Sequence, residues 1–349
     1  MECKLVRQGF EPGSCQVFDF STGRSGKACE VTLRYRAGVP YRLIDSIILS
    51  RPEHYLSIYQ SGCNFECKKC HSWRFTQNAV GEWMCPEDIA GAVERYMSME
   101  ITFVRREHAT SWHAHELCKS CGSCVLRGVR SENCPGVLSR DKIVLSEQGW
   151  GPARNIVAFT GGDLLCQPDF YVRSAELIKE RNERVWILME TNGYGLTPDN
   201  LDLYQQAGID SFWLDIKAFD DEVHRRLTGV SNRRILKLPA ELKDRGFVLE
   251  VSSLFIPGWV ETSQIASIAR TIASVDADIP FTILAFFPEY RMRDVPVPNL
   301  REMIEAYNAA RDAGLRRVKL GNLHLFVHTR AEYELLREQI GGHVTFSPH

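Results

Sequence analysis

The run Ser61-Gly62-Cys63-Asn64-Phe65-Glu66-Cys67-Lys68-Lys69-Cys70 places three thiols four and three residues apart on one loop. Directly before it stands Tyr55-Leu56-Ser57-Ile58-Tyr59, a short apolar and aromatic run that reads as a β-strand. Thiolates at this spacing can converge on one face of a 4Fe-4S cube. Protein-held clusters ordinarily take four cysteines, so a set of three leaves one iron open to a substrate or cofactor. A structural zinc site is the other reading. Zinc favours paired C-x2-C elements or Cys/His sets that close a tetrahedron, and His71 is the only other obvious ligand nearby.

Outward from this loop the chain settles into a regular cadence. From about Asn155, Ile156-Val157-Ala158-Phe159 precedes a helical pattern from Tyr171 to Glu180, and Val185-Trp186-Ile187-Leu188-Met189 precedes one from Pro198 to Ala207. Ser211-Phe212-Trp213-Leu214-Asp215-Ile216, Phe247-Val248-Leu249-Glu250-Val251, Phe281-Thr282-Ile283-Leu284-Ala285 and Val318-Lys319-Leu320 continue the series. Strand, helix, strand at this interval predicts an α/β fold of βα units with a parallel sheet and right-handed crossovers. Strand C-terminal ends then share one rim, where βα barrels keep their chemistry. With Tyr55–Tyr59 as first strand and Pro86 to Met97 as its helix, the three-cysteine loop falls on that rim.

The pattern breaks between about Ile101 and Gly151, a stretch that holds a second cysteine group and His108, His113 and His115. The expected organisation is an N-terminal extension over 1–52 packed on the barrel, a partial (βα)6-type barrel over 53–325, a Cys-rich insertion over 101–151 and a C-terminal tail over 326–349.

Composition bounds the function classes. A 349-residue chain with 44% hydrophobic and 25% charged residues has material for a sizeable core. A net charge of −2 gives no electrostatic footprint for nucleic acid, and His224-Arg225-Arg226 is too short to supply one. No apolar run reaches the roughly 18 residues of a membrane span, and Met1-Glu2-Cys3-Lys4 opens no signal peptide, so the expectation is a cytoplasmic protein. Twelve cysteines in such a chain point to metal or redox chemistry rather than to disulfides. Seven form the two groups Cys63/Cys67/Cys70 and Cys118/Cys121/Cys124/Cys134. The other five, Cys3, Cys15, Cys29, Cys85 and Cys166, read as small buried hydrophobes, although Cys3, Cys15 and Cys29 could meet in space.

The C-x3-C-x2-C loop resembles that of the radical S-adenosylmethionine (SAM) enzymes, and the resemblance extends over about residues 53–100 and 155–325. It implies a 4Fe-4S cluster on Cys63, Cys67 and Cys70 whose open iron binds SAM. Phe159-Thr160-Gly161-Gly162-Asp163-Leu164 resembles the family's Gly-Gly-Glu-Pro element for the methionine amino group, with Asp163 for Glu and Leu164 for Pro. Glu190-Thr191-Asn192-Gly193 and Asp215-Ile216-Lys217 resemble strand ends of glycyl-radical-enzyme activases, where the acids hold a monovalent cation beside SAM; singly, each is more often an N-cap or salt bridge. The SAM set so implied is Gly161, Gly162, Asp163, Glu190, Asn192, Asp215, Lys217, Ser252, Gly321 and Asn322. Lys69 stands where the family often has an aromatic residue against adenine. Phe286-Phe287-Pro288-Glu289-Tyr290-Arg291-Met292 resembles the AmmeMemoRadiSam branch, as substrate contact or as an aromatic rim plug.

In the insertion, Cys118-x2-Cys121-x2-Cys124 followed by Cys134-Pro135 resembles a ferredoxin pattern with a lengthened last gap. An auxiliary 4Fe-4S cluster is preferred there over a four-thiolate zinc knuckle, because C-x2-C-x2-C strains a tetrahedral zinc site. The implied activity is reductive SAM cleavage to a 5′-deoxyadenosyl radical, hydrogen abstraction from a protein or peptide, and a reductant such as ferredoxin or flavodoxin as partner. The preferred reading is Cα-methylation with cobalamin as methyl carrier, as in the methanogen glutamine C-methyltransferases acting on methyl-coenzyme M reductase. Glycyl-radical-enzyme activation and a non-catalytic iron-sulfur electron carrier are the alternatives.

Overall fold

The computed structural model describes residues 3–341. Its ten-stranded main sheet is built on seven strands, which we number β1 (Leu56–Gln60), β2 (Ile156–Gly161), β3 (Trp186–Thr191), β4 (Ser211–Asp215), β5 (Val248–Phe255), β6 (Phe281–Ala285) and β7 (Val318–Gly321). Each pairs in parallel with the next. Parallel neighbours need a crossover, and the helices Asp169–Arg181, Pro198–Gln206, Asp221–Thr228, Thr262–Ala273 and Leu300–Asp312 supply it from β2 onward. Local sequence sets their limits. The Thr197 hydroxyl accepts from the Asn200 amide at 3.1 Å at one start, and Gly229, at φ +92°, ends Asp221–Thr228 in the left-handed conformation that glycine adopts freely. The α/β class and the partial barrel are as the cadence predicts, with β7 added to six βα units.

Strand side chains alternate between faces, and here the two faces differ in chemistry. Val157, Phe159, Ile187, Met189, Phe212, Leu214, Leu249 and Val251 belong to the large core with the helices. Their neighbours Ile156, Ala158 and Leu188 belong to a separate inner cluster with Tyr55, Trp186 and Trp213. Further inward-facing positions, Thr160, Glu190, Asp215, Glu250, Ser252, Thr282 and Lys319, are polar and line a cavity. The barrel is therefore hollow toward its catalytic rim.

The N-terminal extension does more than pack on this barrel. The eleven-residue strand Val39–Leu49 continues the sheet antiparallel to β1, and both Leu33–Arg36 and Glu82–Met84 pair antiparallel with Val39–Leu49. Without them β1 would present an open edge of unpaired N–H and C=O groups. In the tail expected over 326–349, Arg330–Ile340 is a helix that buries Leu336 and Ile340; residues 342–349, like 1 and 2 of the extension, lie outside the described residues. Among the described residues no helix is long and apolar enough to cross a membrane.

The insertion is closed at its base by a parallel ladder of Ile101–Thr102 with Ala153–Arg154, and its first part crosses beneath the N-terminal end of the barrel. Trp186 Nε1 donates to the Val104 carbonyl at 2.8 Å and Ser211 Oγ to that of Ala109 at 2.6 Å. Glu250 accepts from Ser111 Oγ at 3.0 Å and the Trp112 amide at 2.9 Å, while Lys319 Nζ donates to the Trp112 carbonyl at 2.6 Å. Two buried guanidiniums fasten this plug. Arg154 donates to the carbonyls of Glu53, His108 and Thr110, at 2.6, 3.1 and 2.8 Å. Arg51 donates to those of Val144, Gly151 and Pro152, at 3.2, 3.1 and 2.9 Å. A buried charge is tolerable only with such complete hydrogen bonding.

Replacing Arg154 by Met keeps the stem but leaves three buried carbonyls without donors. The expected loss is about 3 kcal/mol, read as a lower urea midpoint; an unchanged midpoint would show that the plug does not depend on this clamp.

Candidate active site

A cavity of about 770 Å³ runs from the C-terminal rim down the lumen to Trp112, and Cys63, Cys67 and Cys70 line it. The cysteine loop is pinned from three sides. Asn64 N–H donates to the Asp163 carbonyl at 2.9 Å, the Asn64 side-chain amide to the Tyr194 carbonyl at 2.7 Å, and Lys68 N–H to the Leu227 carbonyl at 2.8 Å. Phe65 is buried between Tyr194 and His224, with ring centroids 5.5 and 5.7 Å away. Burial, aided by the charge of Asp163, pushes the Cys63 thiol up to about 12, and burial also raises Cys67. The thiols are thus protonated until a metal displaces the protons.

These sulfurs are not gathered as tightly as a single zinc ion requires. In a zinc tetrahedron, sulfurs held at 2.3 Å from the ion approach one another to about 3.8 Å. Among the described residues, the set of three or more His, Cys, Asp or Glu ligand atoms within 4.8 Å of one another is His108, His113 and Glu116, with no cysteine in it. That histidine set is a structural stack. The His108 and His113 rings lie parallel at 3.8 Å, Arg105 donates to His108 Nε2 at 3.1 Å, and His113 Nδ1 meets Glu116 at 2.8 Å.

Of the ten SAM positions inferred from the sequence, Gly161, Asp163, Glu190, Asn192, Asp215, Lys217, Ser252 and Asn322 line the cavity. Gly162 and Gly321 do not border it. The close approach that Gly162 permits is to the chain itself, since a Cβ there would stand 2.2 Å from the Gly62 carbonyl oxygen and 2.5 Å from that of Gln60. Asp163 likewise works within the protein: its carboxylate accepts from Thr191 Oγ1 at 2.6 Å, the Asn192 amide at 2.9 Å and the Leu165 amide at 3.0 Å. Asn192 donates to Asn64 Oδ1 at 2.7 Å, completing a chain of contacts from β2 through β3 to the cysteine loop. Asp215 and Lys217 form an ion pair. Burial opposes the Lys217 charge, but the Asp215 carboxylate beside it outweighs this and holds the ammonium above its usual range.

Lys69 is buried at the cavity edge, its Nζ 3.3 Å from the Phe287 ring centroid and without a hydrogen-bond acceptor. Burial lowers it to about 8. Phe287 thereby joins the cavity wall, while Tyr290 stacks on Trp73 at 5.1 Å outside it.

Beside Glu190, the lumen holds titratable groups, Glu53, Glu250 and Lys319, that the motifs passed over. Burial raises Glu53 and Glu190 to about 7, raises Glu250 and lowers Lys319 to about 8. Glu190 accepts from Tyr55 Oη at 2.7 Å and Thr160 Oγ1 at 2.6 Å. A signal was present in the sequence: Glu250 and Lys319 interrupt apolar strands, and a charged residue in a buried strand needs a polar interior to face.

In the insertion, Cys118, Cys121, Cys124 and Cys134 ring a second cavity of about 130 Å³. The four thiols supply the donor set that either a zinc ion or an iron-sulfur cluster requires. The helix Ala114–Leu117 leads into it, and its His115 lines the main cavity.

Two outcomes follow for this site. Gly162→Ala forces a methyl against two backbone carbonyls and is expected to lower the iron retained per chain; full iron content would overturn the close-approach argument. Glu190 has a folded-state pKa raised from 4.5 to about 7, so the native chain keeps a proton there that the unfolded chain releases. Folding stability therefore falls as pH rises between those values. The urea midpoint of the wild type should drop relative to Glu190→Gln between pH 5 and 8, and a pH-independent difference would contradict it.

Comparison with known proteins agrees with this construction. A family model described as the radical SAM superfamily matches residues 119–271, which span β2 to β5; the cysteine loop after β1 precedes the matched stretch. The isethionate sulfite-lyase activating enzyme of Oleidesulfovibrio alaskensis is 25% identical over 247 residues, covering 63% of this chain and 75% of that protein. A putative glycyl-radical enzyme activating enzyme of Methanocaldococcus jannaschii is 24% identical over 159 residues, 44% of this chain and 58% of that protein. A solved domain of pyruvate-formate lyase-activating enzyme from Bacteroides vulgatus superposes with a TM-score of 0.41 at 19% identity, covering 48% of this chain and 98% of that one. With a parallel βα barrel and a three-thiol loop on its rim, the chain is similar to the radical SAM superfamily, whose model it matches over residues 119–271.

Proposed function

We propose that this radical SAM enzyme abstracts a hydrogen atom from a polypeptide, in the manner of an activating enzyme. The observation that carries the reading is the convergence of three unpaired thiols, the Asp215–Lys217 pair and Glu190 on one cavity at the ends of β1, β3 and β4. A 4Fe-4S cluster on Cys63, Cys67 and Cys70 would supply the electron that cleaves SAM to methionine and a 5′-deoxyadenosyl radical. With the cluster reduced by a partner such as ferredoxin or flavodoxin, that chemistry would move a hydrogen atom from the substrate to 5′-deoxyadenosine and leave the unpaired electron on the substrate.

The chain's own residues would bind, orient and exclude water. The Lys217 ammonium and the Asn192 amide suit the carboxylate of the methionine moiety. Asp163 would hold the Gly161–Gly162 turn in place through Thr191 and Asn192, leaving backbone carbonyls for the amino group. The lumen below, lined by Glu190, Glu53 and Trp213, is the space for the substrate segment, and the plug at Trp112 closes its far end against water.

The relatives named as activating enzymes favour Cα hydrogen abstraction over the cobalamin-dependent Cα-methylation preferred on sequence. The cavity at Cys118, Cys121, Cys124 and Cys134 supports an auxiliary cluster, whose place near His115 suits electron relay toward the lumen.

The test is anaerobic reconstitution followed by reaction with SAM and dithionite. The wild type should release 5′-deoxyadenosine and methionine, and the Cys63→Ala/Cys67→Ala/Cys70→Ala variant neither; release by the variant would sink the assignment. With a polypeptide substrate, a protein-based radical signal without S-adenosylhomocysteine supports the activating role. A 14 Da mass gain with S-adenosylhomocysteine would replace it by methylation.

A further inference from the structure

Four of the five cysteines outside the two motif groups lie in one region of the fold. The hairpin Gln16–Asp19 with Arg24–Lys27 pairs Gln16 with Lys27, and the next pair outward is closed by the Ala28 amide donating to the Cys15 carbonyl at 2.8 Å. Cys15 and Cys29 therefore flank the base of one hairpin, and both pack on a small buried cluster of Val17, Ala28 and Leu164. Leu164 belongs to the loop after β2, two residues ahead of the buried Cys166.

Cys166 meets the start of the chain as well. A Cβ built on Gly195 would stand 2.5 Å from the Cys166 Cβ and 3.0 Å from Leu5 Cδ2, so Cys166 and Leu5 face one point. Leu5 lies on the helix Lys4–Arg7 whose N-cap is Cys3. The electrostatics agree: besides burial, Cys29 feels Cys15 and Cys3, and Cys166 feels Cys29, Cys3 and Cys15. None of the four is in a disulfide. Cys85 stays apart, as the N-cap of Pro86–Met97.

The surroundings are of the kind that needs a staple. The hairpin is a two-stranded sheet of four-residue strands, and the helices Lys4–Arg7 and Ala28–Val31 are single turns. Such pieces bury too little apolar surface to hold themselves. Yet this segment bears on the active site: the Ser14 hydroxyl donates to the Thr228 carbonyl at 2.7 Å and accepts from the Glu66 amide at 3.0 Å.

We propose that Cys3, Cys15, Cys29 and Cys166 form a third thiolate site, which binds a thiophilic metal and staples the N-terminal segment beneath the Cys63–Cys70 loop. The shared chemistry is four-thiolate coordination; among the described residues these sulfurs are not gathered within 4.8 Å of one another, as a single zinc or iron ion needs, so the wider span of a further iron-sulfur cluster fits them better, and metal analysis separates the two. Thiol protons are released as the metal binds, and no change of oxidation state is required.

The full chain, made anaerobically with iron and zinc supplied, is analysed for iron, zinc and sulfide as wild type, as Cys15→Ser/Cys29→Ser and as Cys85→Ser. The double variant should lose about one zinc or iron, or about four irons with their sulfide, whereas Cys85→Ser keeps the wild-type content. Unchanged metal in a double variant with the wild-type circular dichroism spectrum would overturn the site. Should the double variant not fold, anaerobic maleimide labelling of the wild type, mapped by mass spectrometry, decides. Cys3, Cys15 and Cys29 are partly exposed, so a bound metal should slow their labelling by roughly tenfold or more until a chelator is added. Full-rate labelling without chelator, or a disulfide between any two of them, would refute it. Neither readout involves turnover, so the result stands apart from the radical reading of Cys63, Cys67 and Cys70.

Discussion

The backbone contact between the loops that follow β1 and β2 is the constraint on which the site depends. Gly162 lies against the carbonyls of Gly62 and Gln60, closer than any side chain allows. Because these loops touch, the Asn64 amide reaches the Asp163 carbonyl, and the Asp163 carboxylate can turn away from the cysteines to collect Thr191 and Asn192. Three strand ends are thereby locked into one rim. Buried carboxylates hold such positions firmly when every lone pair has a donor, and weakly when one lacks it; here three donors converge on Asp163.

A second feature is that the barrel is closed from below by its own insertion. The segment from Val104 to Trp112 fills the N-terminal mouth, fixed by Glu250 and Lys319 from inside and by Arg154 from the side. The same polypeptide then runs on into the second cysteine group. The lumen thus has a thiol centre on its rim and another thiol group beyond its floor, and the carboxylates between them sit in surroundings that favour their neutral forms. Water exclusion and a low local dielectric strengthen every polar contact a substrate makes there.

Much of the fold was legible in the chain because parallel strands buried on both faces leave continuous apolar runs. The seven runs from Leu56 to Leu320 and the turn residues between them record the barrel directly. The extension was read less well: Val39–Leu49 joins the sheet through pairing with β1, and an antiparallel partner is chosen by an open edge elsewhere in the molecule rather than by its own residues. The candidate SAM positions were named from motifs at strand ends, and eight of the ten line the cavity, yet the motif could not tell Gly161, which borders the cavity, from Gly162, which borders Gly62.

By itself the sequence determined the spacing of Cys63, Cys67 and Cys70, their place directly after a strand, and the βα cadence, because these depend on neighbours along the chain. Only the tertiary structure decided what Asp163 holds, that Glu250 and Lys319 anchor a plug, and that Cys15 and Cys29 flank the base of one hairpin. Those arrangements join residues tens to hundreds of positions apart, and what joins them is the burial of polar groups that must find partners wherever the packed chain supplies them.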